Sequence, residues 1–137
     1  MPQRNSLPTY VRVRAKGRSP GGLAVRLRFS MRRKNSFTYL AFLDCRGIAE
    51  IPRDEFLKAF DEERNAFITD YEDPRTGFTG EITVKVFDTV ELQNALRAFE
   101  MFKGKLSFPD DYESRLRAAL RRDQKPDDYE VEVRAIR

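Results

Sequence analysis

Histidine is absent from the 137-residue chain, and cysteine occurs only once, as Cys45. The missing histidine excludes imidazole both as a catalytic base and as a metal ligand. A single cysteine excludes a disulfide within the chain. Cys45 lies in a short stretch, Asp44 to Gly47, whose composition is typical of a turn, so we interpret it as a small residue tolerated there. This inventory predicts a protein that is not an enzyme and has no catalytic residues.

Long hydrophobic runs are also missing. The longest unbroken apolar run has five residues, Tyr39 to Leu43, whereas a membrane-spanning helix needs about 20. Residues 1–7 lack the apolar stretch of a secretory signal. We therefore predict a cytoplasmic protein that does not associate with a membrane.

The sequence contains no glycine-rich phosphate loop of either common type. Acidic residues from Asp70 to Glu81 approach the spacing of a calcium loop, but Arg75 stands where the sharp turn of that loop needs glycine. We therefore predict neither a metal site nor a cofactor.

Acidic residues do not occur before Asp44. The first 43 residues carry ten basic side chains, whereas residues 44–137 carry 16 basic and 22 acidic ones. This asymmetry has two interpretations. The basic third binds a polyanion, or the later acids neutralise it in the folded protein.

The composition that remains is that of a globular protein, with 40% hydrophobic and 35% charged residues. A chain of this length is expected to form one domain. We predict a flexible N-terminal tail over residues 1–8 and a single globular domain over residues 9–137.

Hydrophobic and polar residues alternate with a period of two in four segments, which indicates half-buried strands. A fifth segment, Phe37 to Leu43, is apolar at almost every position, as expected for a strand covered on both faces. Ile48 to Ile51 is short and follows a turn, so we predict a return strand there. The four alternating segments are Thr9 to Ala15, Leu23 to Ser30, Glu81 to Phe87, and Tyr129 to Ile136.

Helical spacing of apolar residues appears in three other segments. They are Pro52 to Arg64, the stretch that follows Asp88 and stops at Gly104, and Pro109 to Arg122. Asp88 with Glu91 three residues later is typical of a capping box. The apolar stripes of these helices are interpreted as faces that pack on the core.

The order of elements favours an α+β fold that is mainly β. We predict a sandwich-like antiparallel sheet of about six strands, one inserted helix, and two helices in the C-terminal half. The first and last strands have matching alternation, so we expect them to pair. Arg12 and Arg14 would then lie near Glu130 and Glu132 on a common outer face.

Two segments carry a family resemblance. Residues 19–27 read SPGGLAVRL and residues 43–51 read LDCRGIAEI. The first resembles the strand entry, and the second the Asp-x-x-Gly hairpin, of transthyretin-like and carboxypeptidase-regulatory-like β-sandwich domains. The resemblance covers residues 10–51 and, more weakly, Glu81 to Phe87. It implies a non-catalytic module that stabilises, attaches or binds.

We therefore predict an accessory or protein-interaction module that has a protein partner. The alternative is weak nucleic-acid binding without sequence preference through the basic N-terminal third. For either partner, the predicted contact residues are Arg32, Arg33 and Lys34, which form a compact basic loop.

Overall fold

The computed structural model describes residues 7–32, 36–57, 60–61, 66–67, 78–105 and 108–136. Eight strands and three helices follow one another along these residues, with a 3-10 turn at Pro126–Asp128 before the last strand. In chain order they are β1 (Tyr10–Gly17), β2 (Ala24–Met31), β3 (Ser36–Phe42), β4 (Ile48–Pro52), α1 (Arg53–Phe56), β5 (Phe60–Asp61), β6 (Ala66–Phe67), β7 (Phe78–Val86), α2 (Thr89–Phe102), α3 (Tyr112–Arg122) and β8 (Tyr129–Ile136).

Six of the strands form two three-stranded antiparallel sheets. One sheet has the order β4-β1-β8 and the other the order β3-β2-β7, while β5 and β6 form a separate pair. The predicted fold class is confirmed: the protein is α+β and mainly β, with six antiparallel strands and three helices.

The main hydrophobic core lies between the two sheets. Alternate residues of β1 and β2 point into it, among them Val13, Leu27 and Phe29, each fully buried. Phe56 of α1 stacks on Phe29 with ring centroids 5.1 Å apart. Full burial of such side chains contributes about 1.5–3 kcal/mol each relative to exposure. The alternation seen in the sequence therefore identifies the inward face of each strand.

A second core lies on the other face of the β3-β2-β7 sheet, under α2 and α3. Ala24 and Phe42 on the strands pack there with Leu92 of α2 and Leu116 of α3. The run Phe37 to Leu43 is therefore apolar at most positions because its odd-numbered residues face the main core and Leu40 and Phe42 face the helices. The described residues thus form three layers: sheet, sheet and helices.

The predicted pairing of the first and last strands is confirmed. In the β1–β8 ladder Arg14 lies opposite Glu132, and Lys16 lies opposite Glu130. Arg12 differs from the expectation because it lies opposite Arg134. Its guanidinium instead pairs with the carboxylate of Glu50 on β4, at 2.7 Å.

The predicted helix Pro52 to Arg64 is wrong beyond its first turn. α1 ends at Phe56, and a strand begins at Phe60. Pro52 is the N-cap residue, and no side-chain hydrogen bond caps the helix. Apart from the burial of Phe56, little therefore stabilises this segment as a longer helix. Residues 58–59 and 62–65 lie outside the described residues.

Two other expected boundaries also shift. Phe78 is buried in the main core, so β7 begins there rather than at Glu81. Leu7 and Pro8 are buried rather than part of a flexible tail. Leu7 joins the main core, and the Arg53 guanidinium donates to the carbonyl oxygens of both residues. Residues 1–6 lie outside the described part of the chain.

The predicted start of α2 is confirmed in atomic detail. The Asp88 carboxylate accepts from the Glu91 amide at 2.8 Å, and the Glu91 carboxylate accepts from the Asp88 amide at 3.4 Å. This reciprocal pair is a capping box. It fixes the point at which the chain leaves β7 and crosses the sheet as a helix.

The segment between α3 and β8, Asp123 to Asp128, holds a residue that sequence reasoning missed. Gln124 is only 3% exposed. Its Oε1 accepts from the Ala24 amide at 3.1 Å, and its Nε2 donates to the carbonyl oxygens of Ala24 at 2.8 Å and Phe87 at 2.7 Å. The side chain therefore completes the β2–β7 ladder at its end. One glutamine in a polar segment gives no sequence signal for this role.

Candidate functional site

A groove of about 940 Å³ runs between the strand edges of the sandwich and the helical layer. Residues 38–43 of β3 and its following turn line one wall, and residues 48–52 of β4 line another. Residues of α2 and α3 close the third side. Both sheets and the helices therefore contribute to one concave surface.

The two strands that line the groove are edge strands. Among the described residues, β3 pairs only with β2 and β4 pairs only with β1, while β5 contacts β3 without joining its ladder. The Leu43 amide donates to the Leu23 carbonyl oxygen at 2.9 Å. Because antiparallel ladders alternate, the amides of Thr38, Leu40 and Phe42 point away from β2. This edge presents backbone donors and acceptors along the groove.

Four aromatic rings form a cluster at the helical side of the groove. Tyr112 lies at its centre, with ring centroids 5.9 Å from Phe42, 5.5 Å from Phe99 and 5.0 Å from Phe108. The guanidinium of Arg115 lies 5.9 Å from the centre of the Phe42 ring. Edge and tilted arrangements of this kind stabilise aromatic clusters. All five of these residues line the groove, which therefore has an apolar wall with a cation at its rim.

Two tyrosines of the groove have raised pKa values. Burial, together with the nearby Glu55 carboxylate, raises the pKa of Tyr39 to about 12. Burial also raises the pKa of Tyr112, with a further contribution from Tyr39. Both phenols therefore stay protonated at neutral pH.

Carboxylates outnumber basic side chains among the residues that line the groove. Arg26 and Arg115 each pair with one of these acids, at 3.7 Å to Glu91 for Arg26 and at 2.7 Å to Asp111 for Arg115. Basic residues outside the groove pair with three of its acids: Arg46 with Asp44, Arg12 with Glu50, and Lys85 with Glu91. The acids are Asp44, Glu50, Glu55, Glu91 and Asp111, and the basic residues are Arg26, Lys105 and Arg115.

The residues predicted from sequence as a contact loop lie elsewhere. Arg32 is exposed and follows the end of β2, and it does not line the groove. Arg33 and Lys34 lie outside the described residues. The signals for the groove, by contrast, were present only as scattered apolar residues of β3, α2 and α3, because the groove forms where three separate elements meet.

Cys45 is exposed in the β3–β4 turn, as the sequence suggested. The Asp44 carboxylate accepts from the amides of Arg46 and Ile48 at 2.8 and 3.1 Å, and these bonds hold the turn. The backbone bond from Ile48 is the largest cause that lowers the pKa of Asp44. Within the described residues, no group of three or more Cys, Asp or Glu side chains is placed to hold a metal ion.

No protein-family model, curated protein or solved structure matches this chain. The resemblance to transthyretin-like domains therefore rests on the two sequence segments alone. Within the described ranges, no helix combines the length and the apolarity needed to cross a membrane.

Proposed function

We propose that this chain is a non-catalytic, cytoplasmic accessory module that binds a protein partner in the groove between its strand edges and its helices. One observation carries the proposal: an edge strand with outward backbone amides and an aromatic cluster line the same concave surface. The transthyretin-like resemblance belongs to the same proposal, because domains of that group usually bind or attach rather than catalyse.

The partner contributes an extended segment that adds a strand to the edge of β3. Backbone hydrogen bonds to such an edge supply affinity, and pockets for alternate side chains supply specificity. Phe42 and Tyr112 offer an apolar contact for one side chain of the segment.

A peptide-display selection against the whole protein tests this proposal. The selected peptides should contain an aromatic or aliphatic residue that packs against Phe42 and Tyr112. Their affinity should fall when alternate backbone amides of the peptide are methylated, because methylation removes the donors that strand addition requires. Peptides that bind equally well after methylation would overturn strand addition.

A matched pair of variants locates the contact. Thr38→Pro removes an exposed backbone amide on the free edge of β3, whereas Thr38→Val removes the hydroxyl but keeps that amide. Proline is tolerated on the outer side of an edge strand, so both variants should fold. Strand addition predicts that Thr38→Pro weakens binding of the selected peptide and that Thr38→Val does not. Equal binding by both variants would place the peptide elsewhere.

A further inference from the structure

The two sheets approach each other on one side of the sandwich and stay apart on the other. Cα atoms of β7 and β8 come within 8 Å of each other. Between β3 and β4, by contrast, almost all Cα–Cα distances exceed 8 Å, and the groove occupies the space between these two strands. Within the described ranges, the sandwich is therefore closed along β7 and β8 and open along β3 and β4.

The free edges of β3 and β4 face each other where the chain turns between them. The Asp44 amide donates to the Ile48 carbonyl oxygen at 2.8 Å, whereas the Gly47 carbonyl oxygen accepts from the Ala15 amide of β1 at 2.9 Å. Because backbone groups alternate sides along a strand, the even-numbered residues of β3 and β4 point their groups to the same sides as Asp44 and Ile48. This one hydrogen bond joins the two edges at the turn, and beyond it the strands diverge.

The two edges differ in the backbone groups that they leave unpaired. Thr38, Leu40 and Phe42 of β3 make no hydrogen bond with any described backbone group outside the β2–β3 ladder. On β4 the corresponding positions are Glu50 and Pro52, and proline has no amide to donate. Glu50 therefore supplies the one free amide among the described residues of the β4 edge.

The spacing of packed sheets matches one inserted strand. Two packed sheets lie about 10 Å apart, and neighbouring strands of one sheet lie about 4.7–4.9 Å apart. A strand placed midway between β3 and β4 would therefore lie at hydrogen-bonding distance from both. Successive residues of a strand point their backbone groups to opposite sides, so alternate residues of the inserted strand would face β3 and the residues between them would face β4.

We propose that the partner segment bridges the two edges and closes the open side of the sandwich. It pairs with the even-numbered residues of β3 on one side and with Glu50 of β4 on the other. This inference rests on the proposed function, because it assigns a second row of hydrogen bonds to the same segment in the same groove. The edge strand of a folded sheet has only one free row to offer. The partner therefore contributes an extended tail or loop, and neither a sheet edge nor a second copy of β3 takes its place.

Amide hydrogen exchange of the isotope-labelled protein, followed by NMR with and without the tightest selected peptide, tests this inference. Binding should slow the exchange of the three free amides of β3 and of the Glu50 amide, because each gains an acceptor. The Val133 amide is an internal control. It points away from β1 on the far edge of β8, so its exchange should not change. Slower exchange on β3 without slower exchange at Glu50 would overturn the bridging and leave the proposed function intact. If neither edge is protected, both fail.

A matched pair of variants at Glu50 measures the contact with β4. Glu50→Pro removes the amide, whereas Glu50→Gln keeps it, and both variants lose the ion pair with Arg12. Proline is tolerated at an outward position of an edge strand. Loss of one hydrogen bond should weaken peptide binding about 2- to 12-fold in Glu50→Pro relative to Glu50→Gln. Equal affinities would overturn the bridging, and the exchange measurement, which needs no variant, decides the question should Glu50→Pro fail to fold.

Discussion

Replacement of Gln124 by alanine should destabilise the protein substantially, although the residue lies in a polar segment. Its amide makes three hydrogen bonds to the backbone of Ala24 and Phe87. The Ala24 carbonyl would keep a second donor, the Phe87 amide at 3.2 Å. The Ala24 amide and the Phe87 carbonyl would each lose the partner that Gln124 supplies.

The magnitude follows from those two backbone groups. A buried polar group left without a partner costs about 1–3 kcal/mol, so Gln124→Ala should lower the free energy of unfolding by about 2–6 kcal/mol. Gln93 offers a control because it is an exposed glutamine on α2. Gln93→Ala should change the free energy by about 0.5 kcal/mol or less.

Urea unfolding at pH 7, followed by circular dichroism, measures both variants. The midpoint for Gln124→Ala should fall with an unchanged slope, because the surface exposed on unfolding stays the same. A loss no larger than that of Gln93→Ala would refute the reasoning. It would show that water replaces the amide at no cost.

Gln124→Glu adds a test through pH. A carboxylate at this position still accepts from the Ala24 amide, but it cannot donate to the carbonyl oxygens of Ala24 and Phe87. Burial beside these oxygens raises the pKa of the new acid above its ordinary value of about 4.3. The variant should therefore be closest to the native stability below about pH 4 and lose stability as pH rises through the raised pKa. A stability deficit that does not depend on pH would contradict this account.

Three further predictions concern the β3–β4 turn and its surroundings. Gly47 has φ of +78°, so Gly47→Ala should lower the free energy of unfolding by about 1–2 kcal/mol. Gly104→Ala should not lower it, because no atom lies within 4 Å of the added carbon. Equal urea-unfolding midpoints for the two variants would contradict this prediction. The hydrogen bond from the Ile48 amide is the chief cause that lowers the pKa of Asp44 below 3.8. The stabilising contribution of Asp44 is therefore present above that value and lost as pH falls through the pKa of the folded state. Asp44→Asn should remove this acid dependence in a pH titration of stability. Cys45 is exposed, so a thiol reagent should label it fully without denaturant, and slow labelling would show that the turn is covered.

Much of the sheet could be predicted from the sequence because strand alternation is a local signal. The alternating valines of β1 and β8 indicated that the two strands share a face, and the ladder places Val13 opposite Val133. The Asp88 capping box was likewise local, so the start of α2 could be read directly. Local patterns of this kind determine which side of each element is buried.

The candidate sites could not be predicted in the same way. The groove depends on the meeting of β3, β4 and the helices, and no short segment of sequence contains that meeting. The basic residues are clustered in the sequence, yet the fold separates Arg12 from Arg28 and gives only the first a close acidic partner. The helix expected to reach Arg64 failed because apolar spacing alone does not supply a cap.

The pairing of β1 with β8 has a consequence for how the chain acquires its structure. β1 is the central strand of its sheet, and the Thr9 amide donates to the Ile136 carbonyl oxygen at 2.7 Å. During synthesis β1 emerges before the other described strands, and β8 emerges after them. One side of β1 therefore has no strand partner until translation has nearly passed the last described residue. Contacts between such distant segments slow folding, and an unpaired strand promotes aggregation. A nascent chain stalled before Tyr129 should consequently expose β1 to chaperones, and release of β8 should end that exposure.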